Sequence, residues 1–132
     1  NTVKEAKEYI KDKMIAQLKK QGFSTYTLLT KKDHHKIGTC GLYDREGLEG
    51  IDIGFAMLPA YEGCGFAFEA SRRLLTAAFD DFGLEFVSGI TTKDNITSKK
   101  LLEKLGFTFI GLIKISNDTT DNEDLLLYRI EK

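Results

Sequence analysis

Residues 48–65 join a strand, a glycine turn and the opening of a helix, and this junction constrains the fold more than any other stretch of the chain. Residues 48–58 read as a strand. Ile51, Ile53, Phe55 and Met57 alternate onto one face, and Asp52, Gly54 and Ala56 fall on the other. A strand face stripped of bulk, with one acid on it, leaves room for something to approach the backbone. Pro59-Ala60-Tyr61-Glu62-Gly63-Cys64-Gly65 then breaks the strand. Ala67, Ala70, Leu74, Ala78 and Phe82 recur at helical spacing, and Gly83 closes the run. Residues 85–91 read as another short strand. A strand–helix–strand unit of this kind predicts a parallel, right-handed crossover.

The flanks complete an α/β (α+β) pattern. Thr2 with Glu5 reads as a capping box, and Val3, Ala6, Ile10, Met14 and Leu18 follow at helical spacing up to Gly22. Residues 23–29 and 36–43 read as strands on either side of a polar turn, and Arg45 to Gly47 turns again. Hairpin-length turns imply antiparallel pairing among the first three strands. Asn95 is placed to cap a helix with Leu101, Leu102 and Leu105 inward and Gly106 just past its end. Residues 107–113 and 125–130 read as the last strands, separated by the polar, acidic stretch 117–124. The expected sheet is mixed, with helices on both faces.

A chain of 132 residues suits one domain with one core, here residues 1–132. The formal net charge of −1 gives no strong field for nucleic acid or an anionic membrane. No apolar run is long enough to cross a bilayer. The first twenty residues scatter lysines among apolars, unlike a signal peptide. Cys40 and Cys64 therefore read as free thiols in a reducing cytoplasm. In that setting the glycosylation sequons at Asn95 and Asn117 read as chance matches. The chain opens on Asn1 and runs directly into a helical pattern, which points to further sequence before it. A homodimer is left open.

A glycine turn that opens a helix is an anion site in principle. Glycines let the backbone approach a ligand closely, and the unpaired N–H groups of the first helical turn point at a phosphate. Walker A needs a further glycine followed by Lys and Ser or Thr, which is absent. The dinucleotide fingerprint needs a third glycine where Phe68 stands. Glu62-Gly63-Cys64-Gly65-Phe66-Ala67 instead matches the pyrophosphate loop of the GNAT acetyltransferases except at its first position, usually Gln or Arg. Ile53-Gly54-Phe55-Ala56-Met57-Leu58-Pro59 before the loop and Phe68-Glu69-Ala70 after it resemble the RimJ/RimL-like branch of that superfamily. So do Asp94-Asn95-Ile96-Thr97-Ser98 and Leu101-Leu102-Glu103-Lys104-Leu105-Gly106-Phe107 downstream. The resemblance covers residues 36–114 well.

This resemblance implies a GNAT-like, mostly antiparallel sheet with one parallel strand pair that splays. Acetyl-CoA would lie in the wedge as co-substrate, with no metal. By position, backbone groups of Phe55 and Met57 would meet the pantetheine arm, the amides from Gly63 through Cys64, Gly65 and Phe66 to Ala67 would hold the pyrophosphate, and Asn95 would bond the arm. The implied activity is acetylation of a primary amine, a protein N-terminus or a small molecule, by direct attack. Asp52 is the candidate general base. Many family members carry a Tyr acid where this chain has Leu102, and Ser98 becomes the candidate acid. Glu62 and Cys64 depart from the family pattern and make the loop less attractive to a pyrophosphate.

Blander readings stand beside these. Asp52 is also a plausible solvated strand residue, Ser98 an ordinary third residue of a helix, and Asn95 a cap alone. His34-His35 lacks a third ligand nearby for a metal. Cys64 lacks a His or Asn partner at a recognisable spacing for an acyl-cysteine mechanism. The alternative function is a non-catalytic acyl-CoA-binding or sensing domain on the same fold, and a plain interaction module is a third.

Overall fold

The structure is a computed structural model and describes residues 22–114 and 124–132. Its strands are β1 Thr25–Leu29, β2 Lys36–Tyr43, β3 Asp52–Met57, β4 Phe86–Thr91, β5 Thr108–Ile113 and β6 Leu125–Glu131. They form one sheet in the order β1-β2-β3-β4-β6-β5. Helix α1 (Phe66–Asp80) crosses from β3 to β4, and helix α2 (Ile96–Leu105) follows β4. Neighbouring strands run antiparallel except β3 and β4, which are parallel, as the crossover demands. The mixed, mostly antiparallel sheet expected from the sequence is therefore present.

Register assigns the faces. Cys40 stands opposite Phe55, and Leu42 opposite Ile53; Tyr43 stands opposite Asp52, and Asp52 beside Ser88. Side chains alternate along each strand, so Cys40, Leu42, Ile53 and Val87 share one face, and Tyr43, Asp52, Gly54 and Ser88 the other. Helix α1 packs on the first face, where Ser71 Oγ lies 3.7 Å from Cys40 Sγ. The small Ser71 side chain lets the helix approach, and the buried stripe runs through Ser71, Leu75 and Ala78. This is one residue round from the center of the apolar pattern. Helix α2 packs on the same face, with Leu102 over Gly89, where an added Cβ would stand 2.6 Å from Leu102 Cδ2. Leu42, Val87 and Leu102 are among the most deeply buried side chains. The helix expected over residues 2–18 and residues 117–123 of the acidic stretch lie outside the described residues.

Some boundaries differ from the sequence reading. The strand expected from residue 48 begins at Asp52. Gly47 and Gly50 adopt φ of 89° and 79°, which turns residues 47–50 into a bend. Leu48 is buried nonetheless, so its apolar character reports a core contact and not a strand. The strand expected from residue 23 begins at Thr25. Phe23 packs its ring 5.2 Å from that of Phe82, just past the end of α1.

Candidate active site

The parallel pairing of β3 with β4 is confined to their first residues. Ser88 N donates to Ile51 O at 2.9 Å, and Asp52 and Ser88 are the one ladder pair the two strands share. Beyond it the strands part. Because the Ile51 carbonyl faces β4, the strand period turns the peptide groups of Ile53, Phe55 and Met57 to that same edge. The peptide groups of the alternate residues face β2. Phe55 and Met57 thus present N–H and C=O groups to the gap.

A cavity of about 640 Å³ occupies this gap. Its wall includes Asp52, Phe55 and Ala56 of β3, Ile90 and Thr91 of β4, and Asn95, Ser98 and Leu102 at α2. It reaches through the sheet, since Asp52 lies on the face opposite α1 and α2. The size suits a small-molecule site. Of the residues singled out in the sequence, Asp52, Phe55, Asn95 and Ser98 meet here. Met57 and residues 63–67 lie outside this wall, at the C-terminal end of β3, with only the short 3₁₀ turn Pro59–Tyr61 between them.

The glycine loop has the conformation of an anion site. Gly63 and Gly65 take φ of 74° and 83°, which a side chain would strain, and nothing stands within 4 Å of a Cβ added at either. Gly65 occupies the N-cap of α1 and offers no side-chain cap. The first amide to find a backbone acceptor is that of Glu69, bonded to Gly65 O at 3.1 Å. Among the described residues the amides of residues 63–68 are unpaired, and they open a 15-residue helix whose dipole favors negative charge there. Glu62 is exposed beside them and has no ion pair among the described residues. The loop and the β3 edge fit the phosphates and the amide-bearing arm of a CoA thioester.

Asn95 caps α2 by accepting from Ser98 N at 3.0 Å through Oδ1, which leaves its amide nitrogen to donate. Ser98 is buried at the cavity wall.

Asp52 is 0% exposed. Arg45 Nε donates to both of its carboxylate oxygens, each at 2.9 Å. Removal from water pushes the Asp52 carboxyl up from 3.8 to about 6, against the Arg45 charge and hydrogen bonds that pull it down; nearby Asp44 adds to the rise. The group is therefore ionised at neutral pH yet far more basic than an ordinary carboxylate. The sequence marks Arg45 only as part of a turn. Its signal lay in the hairpin register: Tyr43 opposes Asp52, and the next residue but one on the same side can fold back over the acid. The Arg45 guanidinium also sits 5.4 Å from the center of the Tyr43 ring.

Both cysteines are free thiols. Cys40 is a packing residue whose burial pushes its thiol pKa up. His34 and His35 close the β1–β2 turn through Thr30. The described residues hold no group of three or more metal-ligating side chains.

Residues 1–108 match the family model for the acetyltransferase (GNAT) domain. The chain belongs to the GNAT acetyltransferase family. It is 35% identical over 110 residues to the uncharacterized N-acetyltransferase YjdG of Bacillus subtilis, covering 78% of this chain and 62% of that protein. Among solved structures it resembles an acetyltransferase from Agrobacterium tumefaciens, with a TM-score of 0.77 and 25% identity over 89% of this chain and 66% of that one. The fold is shared with RimL, the ribosomal L7/L12 alpha-N-protein acetyltransferase in complex with coenzyme A, at a TM-score of 0.74 and 18% identity, over 89% of this chain and 66% of that one. The chain thus spans less than two thirds of the length of YjdG.

Proposed function

We propose that this protein is an N-acetyltransferase that transfers the acetyl group of acetyl-CoA to a primary amine by direct attack, as a cytoplasmic enzyme of the RimJ/RimL-like branch. The observation that carries the reading is the parted β3–β4 pair, which sets an unpaired backbone edge and a basic, buried carboxylate in one cavity. Acetyl-CoA supplies an activated acyl group. Peptide groups of Phe55 and Met57, with the Asn95 amide, orient its arm, and the amides of residues 63–67 hold its phosphates. Asp52 takes a proton from the incoming ammonium, directly or through a water, because only the neutral amine attacks. Ser98 donates a proton to the departing thiolate and is reprotonated by the second proton that the nitrogen sheds as the amide forms.

Calorimetry with CoA should show one site per chain at micromolar Kd, about 8 kcal/mol. Thiol release with a panel of primary amines, confirmed by the mass of the acetylated product, tests the transfer. No heat and no thermal shift at millimolar CoA overturns the proposal. One observation favors the non-catalytic acyl-CoA-binding alternative: Arg45 engages both oxygens of Asp52. That reading predicts CoA heat with no acetylated amine.

A further inference from the structure

The carboxylate proposed as base is half of an ion pair whose other half also lines the cavity. Arg45 uses Nε for Asp52, and its two outer nitrogens make no hydrogen bond or ion pair among the described residues. The Arg45 side chain is 45% exposed and covers Asp52, whose side chain is 0% exposed, so a ligand meets Arg45 first and must shift it to reach the carboxylate.

We propose that Arg45 and Asp52 together form the acceptor subsite, and that the acceptor is a zwitterionic α-amino acid whose carboxylate bonds the outer guanidinium nitrogens of Arg45 while its amine bonds Asp52. The inference rests on the acetyl-transfer reading above and narrows its acceptor. An ammonium arriving at Asp52 shares the negative charge that Arg45 relies on. With a plain alkylamine the site then holds two cations on one buried carboxylate, and with a polyamine more. An amino acid brings the missing anion with it. Arginine, aspartate, ammonium and carboxylate close a ring of alternating charge in which every ion has two opposite neighbors. Both contact points belong to one ion pair, so the ligand's charges must lie within a few bonds of each other, as in an α-amino acid. The planar guanidinium suits a carboxylate, which it binds through paired N–H groups. A peptide N-terminus offers a neutral amide at that place.

The test compares α-amino acids with their carboxamides, and with putrescine, as ligands of the CoA-loaded protein and as acceptors with acetyl-CoA. The amide keeps the amine and side chain and removes only the anion. At least one acid should exceed its amide by about tenfold or more in affinity and in kcat/KM, in line with a charge-assisted bidentate contact. Arg45→Gln should collapse that acid-to-amide ratio, and Arg45→Lys should restore part of it. The ratio cancels whatever either variant does to Asp52 itself. Amides as good as acids, a preference for putrescine, or an unchanged ratio in Arg45→Gln overturns the subsite. Acetylation without an acid–amide difference sinks the subsite and leaves acetyl transfer standing. Acid-selective binding that Arg45→Gln abolishes, without acetylation, sinks the transfer and keeps the subsite. Neither binding nor turnover sinks both.

Discussion

Replacing Asp52 with Asn should make the protein more stable at neutral pH while slowing the proposed acetyl transfer. The native carboxyl titrates near 6 and an ordinary aspartate near 3.8. A raised folded-state pKa means that the unfolded chain ionises first as pH climbs. Between these values the unfolded state binds fewer protons than the native state, so stability falls with rising pH and the full penalty is present above about pH 6. A rise of about two units corresponds to about 3 kcal/mol. Asn has nearly the shape of the protonated acid and carries no charge to desolvate. Asp52→Asn should therefore gain up to about 3 kcal/mol at pH 7.5, a midpoint rise on the order of 10 °C for a domain of this size. The gain should fade through pH 6 to 4 and vanish below that. Thermal and urea unfolding of both proteins from pH 3.5 to 8 reads it, and other carboxylates cancel in the difference. Turnover of Asp52→Asn should fall about 10²-fold, as for loss of a general base. A stability difference that does not vary with pH, or a variant weaker than wild type at pH 7.5, would refute the argument that ionised Asp52 is held at a cost.

Glu62→Gln should tighten CoA binding by up to about tenfold in calorimetry, because about 1.4 kcal/mol of repulsion near the unpaired amides is removed; unchanged affinity means that the carboxylate points away from the loop. Ser98→Ala should lower kcat about 10²-fold with CoA affinity nearly constant, as expected for loss of a positioned acid; wild-type turnover removes Ser98 from the mechanism. Gly89→Ala places a Cβ 2.6 Å from Leu102 Cδ2, so Leu102 must shift from its place in the core cluster toward the cavity it lines. The urea midpoint should report a loss of about 1–3 kcal/mol.

Much of the fold was legible because local chemistry and tertiary context agree. The β2 strand, the Asn95 cap with its bond to Ser98 N, and the left-handed Gly106 that ends α2 all follow from residue type at short range. The start of β3 was misplaced because Leu48 and Ile51 are buried and apolar, like strand residues, while the φ angles that deny Leu48 a strand belong to glycines 47 and 50. Insertion of β6 between β4 and β5 was not legible, since no local pattern records which edge a returning strand takes. The carboxylate of Asp52 could be singled out by its small neighbors Gly54 and Ala56. Its partner could not, because Arg45 acquires meaning only when the hairpin register folds the turn back over the acid.

The parting of β3 from β4 also bears on how this protein avoids its neighbors. An unpaired strand edge at the rim of a sheet is a template for another chain and a route to aggregation. Here the open edge lies in the sheet's interior, with β4 across the gap and α2 beside it. An intruding polypeptide strand would bring side chains on both faces, and those have no straight way in. A slender chain of amides without side chains can enter where a strand cannot. The opening proposed for a CoA arm is thereby closed, by cross-section alone, to the partners that usually exploit a bare strand.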